Sequence, residues 1–428
     1  MRTPAARLDN NTEVARSNRL QRFARRVVLR SLRQIEHGGL EIVEQGEAMI
    51  FGTPMPSSRC ARVQVRHPRF YLRLLMGGTV GAGEAYAEGD WETPDLTLLV
   101  RLMVANRTAL EGLDNAFTRS MKQGFEKIQH WRNANTRAGS RRNIAAHYDL
   151  SNDFFQLWLD SRMMYSSAVY AQPDWDLEQA SAHKLHQLCT LLALQPGEHL
   201  LEIGSGWGGL AIYAAQHFDV SVTTTTISAA QQAEARERVA TAGLQDRVQV
   251  LLEDYRDLRG EYDKIVSVEM VEAVGDPFLD EYFSQVEALL APGGRFVIQA
   301  ITIDDQRYEG ALREVDFIKK HIFPGSFIPS VARLISASAR TPTLKLVSLD
   351  DIGLDYAKTL RQWSENFAEA GEQLLKLGFD ERFQRLWQFY FSYCEGGFIE
   401  RVISDVHMVF CNQAQPGTLR APCAPQSR

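Results

Sequence analysis

Glu202-Ile203-Gly204-Ser205-Gly206-Trp207-Gly208-Gly209 sets an acid two residues ahead of a glycine-rich run that joins a short apolar strand to a helix. Glycines at Gly204, Gly206, Gly208 and Gly209 let backbone approach a ligand closely, and the helix N-terminus presents free N–H groups. At the end of its strand, Glu202 suits the positive amino group of a methionine moiety, directly or through water. Two further strand ends agree with this placement. Thr226 and Ser228 follow the second strand, where a ribose would lie, with Gln231 and Gln232 opening the next helix. Asp254 and Tyr255 follow the third strand, where a carboxylate can receive the adenine N6 amino group while the ring packs on the base. A dinucleotide site would prefer GxGxxG and an acid ending the second strand, and neither is present. The chemistry these residues suit is the binding of S-adenosylmethionine.

The elements that must carry them alternate from about residue 143 onward. HLLEIG, VSVTTTTIS, VQVLLEDY, DKIVSVEM and GRFVIQAIT read as strands, and LAIYAAQHF, AAQQAEARERVATAG and DEYFSQVEALL as the helices between them. This succession predicts an α/β, Rossmann-like domain, a parallel sheet covered on both faces. A helix-rich insertion follows at roughly 304–345, then further apolar helices and a strand near VHMVFCN. Upstream, LEIVEQGEAMIF reads as a hairpin turning at Gln45-Gly46, ARVQVRHPRFYLRLL as a strand and then a helix after Pro68, and GGTVGAGEAYAEGDW as a Gly-rich bend. Asp95 to about Arg107 reads as a helix. The polar, basic stretch 108–142 marks the boundary between a small mixed α+β domain (1–142, with 1–15 disordered) and the larger domain (143–415), before a disordered tail (416–428).

The 428 residues are globular in composition, 45% hydrophobic and 23% charged. No run of about 18 apolar residues is present and the N-terminus lacks the apolar core of a signal peptide, which predicts a cytoplasmic protein. The five cysteines show no metal-ligand spacing, so no metal site is expected. Net charge is −6, but Arg19, Arg22, Arg26, Arg30 and Arg33 form a stripe at helical period beside Leu20, Ala24, Val28 and Leu32. Such a helix suits an anionic lipid surface, or a solvated basic face packed on the protein's own core. Nothing points to a nucleic-acid partner.

Taken in order, a set of segments resembles the cyclopropane-fatty-acyl-phospholipid synthases and the related mycolic acid cyclopropane synthases. They are HYDLSND (147–153), MYSS (164–167), EIGSGWGG, TISAAQQ, EDYRDL, SVEMVEAVG, HIFPGSFIPS and GLDYAKTLRQW, with GAGEAYAEGDW (81–91) resembling the small leading domain of the phospholipid-acting members. The resemblance implies a seven-stranded methyltransferase sheet with a helical lid. It also implies methyl transfer from S-adenosylmethionine to a cis double bond of an unsaturated phospholipid acyl chain. The enzyme is then peripheral to the inner membrane face, with the leading domain orienting it on lipid or making a homodimer. A bound bicarbonate would take a proton from the added methyl group as a cyclopropane closes. By position, Tyr165, Ser166 and His147 match residues near the cofactor. Glu272, Tyr356, Gln299, Ser167 and Ile301 match the surroundings of the bicarbonate, the last two through main chain.

Three positions depart from the family pattern: Ser167 for the usual cysteine, Ala273 for the histidine after Glu272, and Gln299 for a histidine that helps hold bicarbonate. Gln299 still donates a hydrogen bond but carries no charge. Glu269, one helical turn's spacing before Glu272, is also unusual; it either replaces bicarbonate as proton acceptor or merely ends a strand. These departures leave methyl transfer intact and keep a methylene- or methyl-branched product open beside cyclopropane. A methyltransferase for a small soluble metabolite and a non-catalytic lipid-binding protein are the readings from other classes. Against the first stand the leading domain, the arginine-faced helix and the apolar insertion with Phe317, Ile318, Ile322, Phe323, Phe327 and Ile328, expected as a lipid-lined lid.

Overall fold

The computed structural model describes residues 18–53, 60–107 and 150–413. They fall into two compact units, one on each side of residues 108–149. The expected boundary at 142/143, His147, the leading 15 residues and the tail from 416 lie outside the described residues.

In the leading unit, α1 (Arg19–Leu32) starts at a capping box between Asn18 and Gln21 and buries Ala24, Val28 and Leu32. Arg19, Arg22, Arg26 and Arg30 are exposed, and so are Leu20 (66%) and Phe23 (55%). The hairpin forms as expected from β1 (Gly39–Glu44) and β2 (Glu47–Gly52), with Gln45 and Gly46 both at positive φ, a turn whose twist matches its strands. β3 (Cys60–Val65) lies parallel to β1, and β4 (Trp91–Glu92) antiparallel to β3. The Gly-rich stretch is a correction: it is not a bend but part of α2 (Arg69–Ala87), kinked at Gly78. A side chain at Gly81 would run into the Arg73 carbonyl, so the glycines there allow a sharp kink and a close approach within helical structure. α3 (Leu96–Ala105) follows its Asp95 cap as expected.

The second unit is built on β5 (His199–Ile203), β6 (Ser221–Thr226), β7 (Val248–Leu252), β8 (Tyr262–Val268), β9 (Leu290–Ile303), β10 (Leu344–Asp351) and β11 (Ile403–Asn412). They form the expected seven-stranded sheet, in the order β7-β6-β5-β8-β9-β11-β10. The first five are parallel, while β11 is antiparallel to both of its neighbours. Helices α4 (Asn152–Gln156), α5 (Leu177–Leu192), α6 (Gly209–Phe218) and α7 (Ala229–Thr241) precede β7 in the chain, and α8 (Leu279–Leu289) precedes β9. The strands read as apolar runs because both faces are covered. Leu201, Ile203, Ile265 and Phe296 pack with Tyr282 and Phe283 of α8, whereas Leu200, Val222, Val266 and Val297 pack with Leu185 and Leu188 of α5.

The insertion supplies α9 (Asp305–Ala311), α10 (Phe317–His321) and α11 (Val331–Ser338), and α12 (Gly353–Glu369), α13 (Gly371–Lys376) and α14 (Glu381–Ile399) follow β10. Edge strand β10 escaped the sequence reading because, after Leu344, its residues are mostly exposed and show no alternation. Chain order reverses between β5 and β8, which opens a crevice at their carboxyl ends, the place where open α/β sheets bind ligands. Glu202 and Glu269 stand at those two ends.

Candidate active site

The loop after β5 has the geometry its sequence implies. Gly206 sits at φ +48° with open space where a side chain would begin, and backbone there is free to approach a ligand. Gly209 has a different task from the one expected. A Cβ there would stand 2.6 Å from Met164 Sδ and 2.7 Å from the Arg162 carbonyl, so this glycine lets α6 seat the segment that carries Tyr165, Ser166 and Ser167. Trp207 Nε1 donates to Asn152 Oδ1 at 2.8 Å and ties the loop to α4.

Glu202 is buried and pairs in register with Thr224 of β6, whose hydroxyl donates to Oε2 at 2.6 Å. Burial pushes its carboxyl up to about 8, partly offset by that hydrogen bond and by Lys184. A buried acid short of partners fits a cationic ligand group. At the second strand end, Thr226 Oγ1 donates to Gln231 Oε1 at 2.9 Å, and Ser228 caps α7 by accepting from Gln231 N–H. At the third, both oxygens of Asp254 accept from Arg256, at 2.8 and 2.6 Å, a pairing the sequence reading did not anticipate. Half-buried Tyr255 meets Tyr282 edge-on at 5.4 Å.

The proton-handling groups converge on Glu269. This residue follows β8 at φ +46°, a left-handed conformation costly for a side-chain-bearing residue. Its Oε1 accepts from Ser167 N–H at 2.8 Å and Gln299 Nε2 at 2.9 Å, and its Oε2 from the Tyr356 hydroxyl at 2.7 Å. Three of the positions expected around bicarbonate therefore hold a carboxylate of the chain itself. Glu269 is no strand-end bystander. The Ser167 hydroxyl donates to the Ala168 carbonyl, so the change from cysteine leaves the useful main-chain N–H in place. Ile301 N–H instead serves Glu272 Oε1 at 2.6 Å, and Glu272 Oε2 has no partner. Glu269 and Glu272 keep some exposed surface, yet burial dominates their ionisation. It pushes Glu272 up to about 8 with help from the Glu269 charge. Like charges about 4 Å apart repel by about 4 kcal/mol at an effective dielectric constant near 20, so these acids cannot all ionise freely.

Three residues at the centre were missed. Lys184 of α5 has no exposed surface and donates to Ser166 Oγ at 2.8 Å; burial pulls its ammonium down to about 8 against the attraction of Glu269, Asp160, Asp405 and Glu202. Its signal was a lysine on the buried stripe between Ala180 and Leu188. Asp405 and His407 of β11 are equally enclosed. Tyr165 and Tyr356 line the same region with aromatic faces: Tyr165 packs against Trp158, Trp363 and Phe323, and Tyr356 stacks on Phe398. Of the expected lid residues, Phe317, Ile322 and Phe327 are buried and Ile328 packs on the core, while half-buried Phe323 reaches Tyr165. The insertion is thus largely core, with one edge on the site.

The family model for mycolic acid cyclopropane synthetase matches residues 135–408. Tuberculostearic acid methyltransferase UfaA1 of Mycobacterium tuberculosis is 39% identical over 333 residues, 76% of this chain and 77% of the relative. Cyclopropane-fatty-acyl-phospholipid synthase of Escherichia coli is 37% identical over 368 residues, 86% of this chain and 92% of the relative. The solved structure of the mycolic acid cyclopropane synthase CmaA1, complexed with SAH and CTAB, superposes with a TM-score of 0.59 at 30% identity, covering 64% of this chain and 98% of that one.

Proposed function

The chain belongs to the mycolic acid cyclopropane synthetase family, and from that footing we propose that it methylates the double bond of unsaturated phospholipid acyl chains, with Glu269 as proton acceptor. It is an S-adenosylmethionine-dependent methyltransferase. The cofactor supplies a methyl group already activated on a sulfonium, so the protein needs no nucleophile of its own. Glu202 would hold the cofactor's amino group, the Gly206 loop its methionine portion, and Thr226, Ser228, Gln231, Asp254 and Tyr255 the ribose and adenine. Tyr165 and Tyr356 would offer the reacting region π-systems that ease a passing positive charge without trapping it.

The observation that carries the reading is Glu269, held by Ser167, Gln299 and Tyr356. Those three donors are among the groups expected for bicarbonate, and Glu269 engages them in its place. The alkene carbon would take the methyl group as its bond to sulfur breaks and a neutral thioether leaves; the neighbouring carbon would become cationic, and one proton would pass to Glu269. Loss of that proton from the new methyl closes a cyclopropane. The same carboxylate supports a second outcome if a hydride shifts before the proton leaves: loss from the new methyl then gives an exocyclic methylene, and loss from a neighbouring chain carbon an unsaturated methyl-branched chain. Similarity to a tuberculostearic acid methyltransferase favours keeping it in view.

Exposed Arg22, Arg26 and Arg30 beside Leu20 and Phe23 support docking of α1 on an anionic bilayer. Among the described residues no helix is long and apolar enough to cross a membrane.

The test is lipid mass spectrometry in cells that lack their own synthase, contain monounsaturated phospholipids and are fed methyl-deuterated methionine. One added carbon retaining two methyl deuteriums is expected for a cyclopropane or an exocyclic methylene, which chromatography against standards separates. Retention of all three would mean a methyl branch. Acyl chains without an added carbon would overturn the proposal.

A further inference from the structure

Asp405 and His407 stand on β11 directly opposite two residues of β9 on which the site depends. In the β9–β11 register His407 faces Gln299 and Asp405 faces Ile301. Asp405, His407 and Gln299 have no exposed surface, so each polar atom needs a partner or carries a penalty. Gln299 Nε2 donates to Asp405 Oδ2 at 2.8 Å and to Glu269 Oε1 at 2.9 Å, while Gln299 Oε1 meets His407 Nε2 at 3.1 Å. The reverse amide orientation would turn a carbonyl oxygen toward two carboxyl groups. His407 Nδ1 has no partner, so the neutral ring carries its proton on Nε2 and donates it to the Gln299 carbonyl. Burial keeps that ring neutral, with its ionisation pulled down to about 3.

Asp405 Oδ1 has no partner, and because one amide nitrogen of Gln299 serves both carboxyl groups, at 2.8 and 2.9 Å, Asp405 and Glu269 stand side by side and act on each other's ionisation. Two buried carboxyl groups so placed cannot both stay ionised, so one of them keeps a proton. The surrounding charges do not change this. Tyr356, Ser167 N–H and Gln299 already serve Glu269, Glu272 adds a further acid, and Lys184 is shared among Glu269, Asp160, Asp405 and Glu202.

Resting on the reading of Glu269 as proton acceptor, the geometry points to Asp405 and His407 as positioning residues for the same reaction. Asp405 keeps a proton and donates it as a hydrogen bond to Glu269, and His407 locks Gln299 with its amide N–H groups toward both carboxyl groups. Neither touches substrate. Together they hold Glu269 as the carboxylate that receives the proton released by the substrate cation.

The test uses the full-length enzyme with S-adenosylmethionine and vesicles of monounsaturated phosphatidylglycerol. Asp405→Asn reproduces a protonated Asp405, since its amide donates to Glu269 and its carbonyl accepts from Gln299, so turnover should fall less than about fivefold. Asp405→Leu should lower kcat by about 100-fold with cofactor affinity within about twofold, and should move the acidic limb of the kcat–pH profile upward. His407→Gln should retain most of the turnover that His407→Leu loses. Infrared difference spectra should show a protonated-carboxyl band that Asp405→Asn removes. A 100-fold loss in Asp405→Asn, survival of that band in the variant, or wild-type kcat with an unmoved limb in Asp405→Leu and His407→Leu would each overturn the proposal. If Asp405→Leu does not fold, Asp405→Asn turnover and the infrared band decide. Glu269→Gln separates the two readings: activity in that variant removes the proton-acceptor assignment itself. Its inactivity beside fully active Asp405→Leu and His407→Leu removes only the positioning roles.

Discussion

Replacing Glu202 with glutamine tests the cofactor site through protons as well as affinity. In the free enzyme burial holds this carboxyl near 8, so at neutral pH it is mostly protonated. A bound ammonium group beside it favours the carboxylate and pulls that value down, so binding releases a proton. The sign follows: free enzyme binds more protons than complex, and affinity rises with pH until the free-enzyme value is passed. If the bound carboxylate stays ionised throughout, affinity should strengthen about 20-fold between about pH 6 and pH 7.5, on the order of 2 kcal/mol. That window lies below the titration of the cofactor's own amino group, taken as an ordinary α-amine. Glu272 and Lys184 also lie near 8 and contribute their own slopes, so the informative quantity is the difference between wild type and Glu202→Gln. The assay is calorimetric titration with S-adenosylhomocysteine in two buffers of different ionisation enthalpy, which reads proton release directly. The variant should bind more weakly, release about one proton fewer and lose the corresponding slope. Equal proton release and equal affinity in both proteins would refute the placement of Glu202 against the amino group.

Two further perturbations reach other parts of the argument. Changing Arg22, Arg26 and Arg30 together to glutamine should weaken sedimentation with anionic vesicles by about 3 kcal/mol at low salt, about 1 kcal/mol for each arginine near the surface, and by less at high salt. Unchanged binding would return α1 to a solvated basic face. Gly209→Ala should cost about 1–3 kcal/mol through the forced contact with Met164 and Arg162, seen as a lower melting temperature. An unaltered melt would mean that the segment moves aside without penalty.

The features legible in the sequence are mostly local. The strand–glycine–helix sequence around Glu202 announces itself within about ten residues, and so does the hairpin at Gln45-Gly46, because turn chemistry and apolar pattern agree at short range. The Gly-rich stretch before Trp91 misled for a related reason. Glycine frequency signals a need for space or unusual φ, and here helix packing used it rather than a loop. Lys184 was visible in principle, as a cation on a helical stripe of buried positions. Asp405 and His407 were not. Their meaning depends on a strand register that pairs residues more than a hundred positions apart, and nothing near them in sequence specifies that partner.

The same distance in sequence explains how the site tolerates so many charges at depth. Glu202, Glu269 and Asp405 gather around Lys184, Glu272 feels the Glu269 charge, and burial raises all four acids above their ordinary range. Permanently ionised, they would repel one another; replaced by apolar residues, they could not meet a cationic ligand. Glu202 and Glu272, pushed up to about 8, avoid both costs, because they are neutral when alone and ionise as positive charge arrives. Glu202 is placed to respond to the cofactor's amino group, whereas Glu269, held as a carboxylate by its three donors, is placed to take a proton from the transient cation on the acyl chain. Asp405 differs in kind: fully enclosed, accepting from Gln299 and set beside Glu269, it is raised well above its ordinary range by burial and by the neighbouring charges, so its proton stays as the others titrate. A site made this way exchanges protons for cations, and its pH dependence should therefore reside in cofactor affinity and in the proton-transfer step.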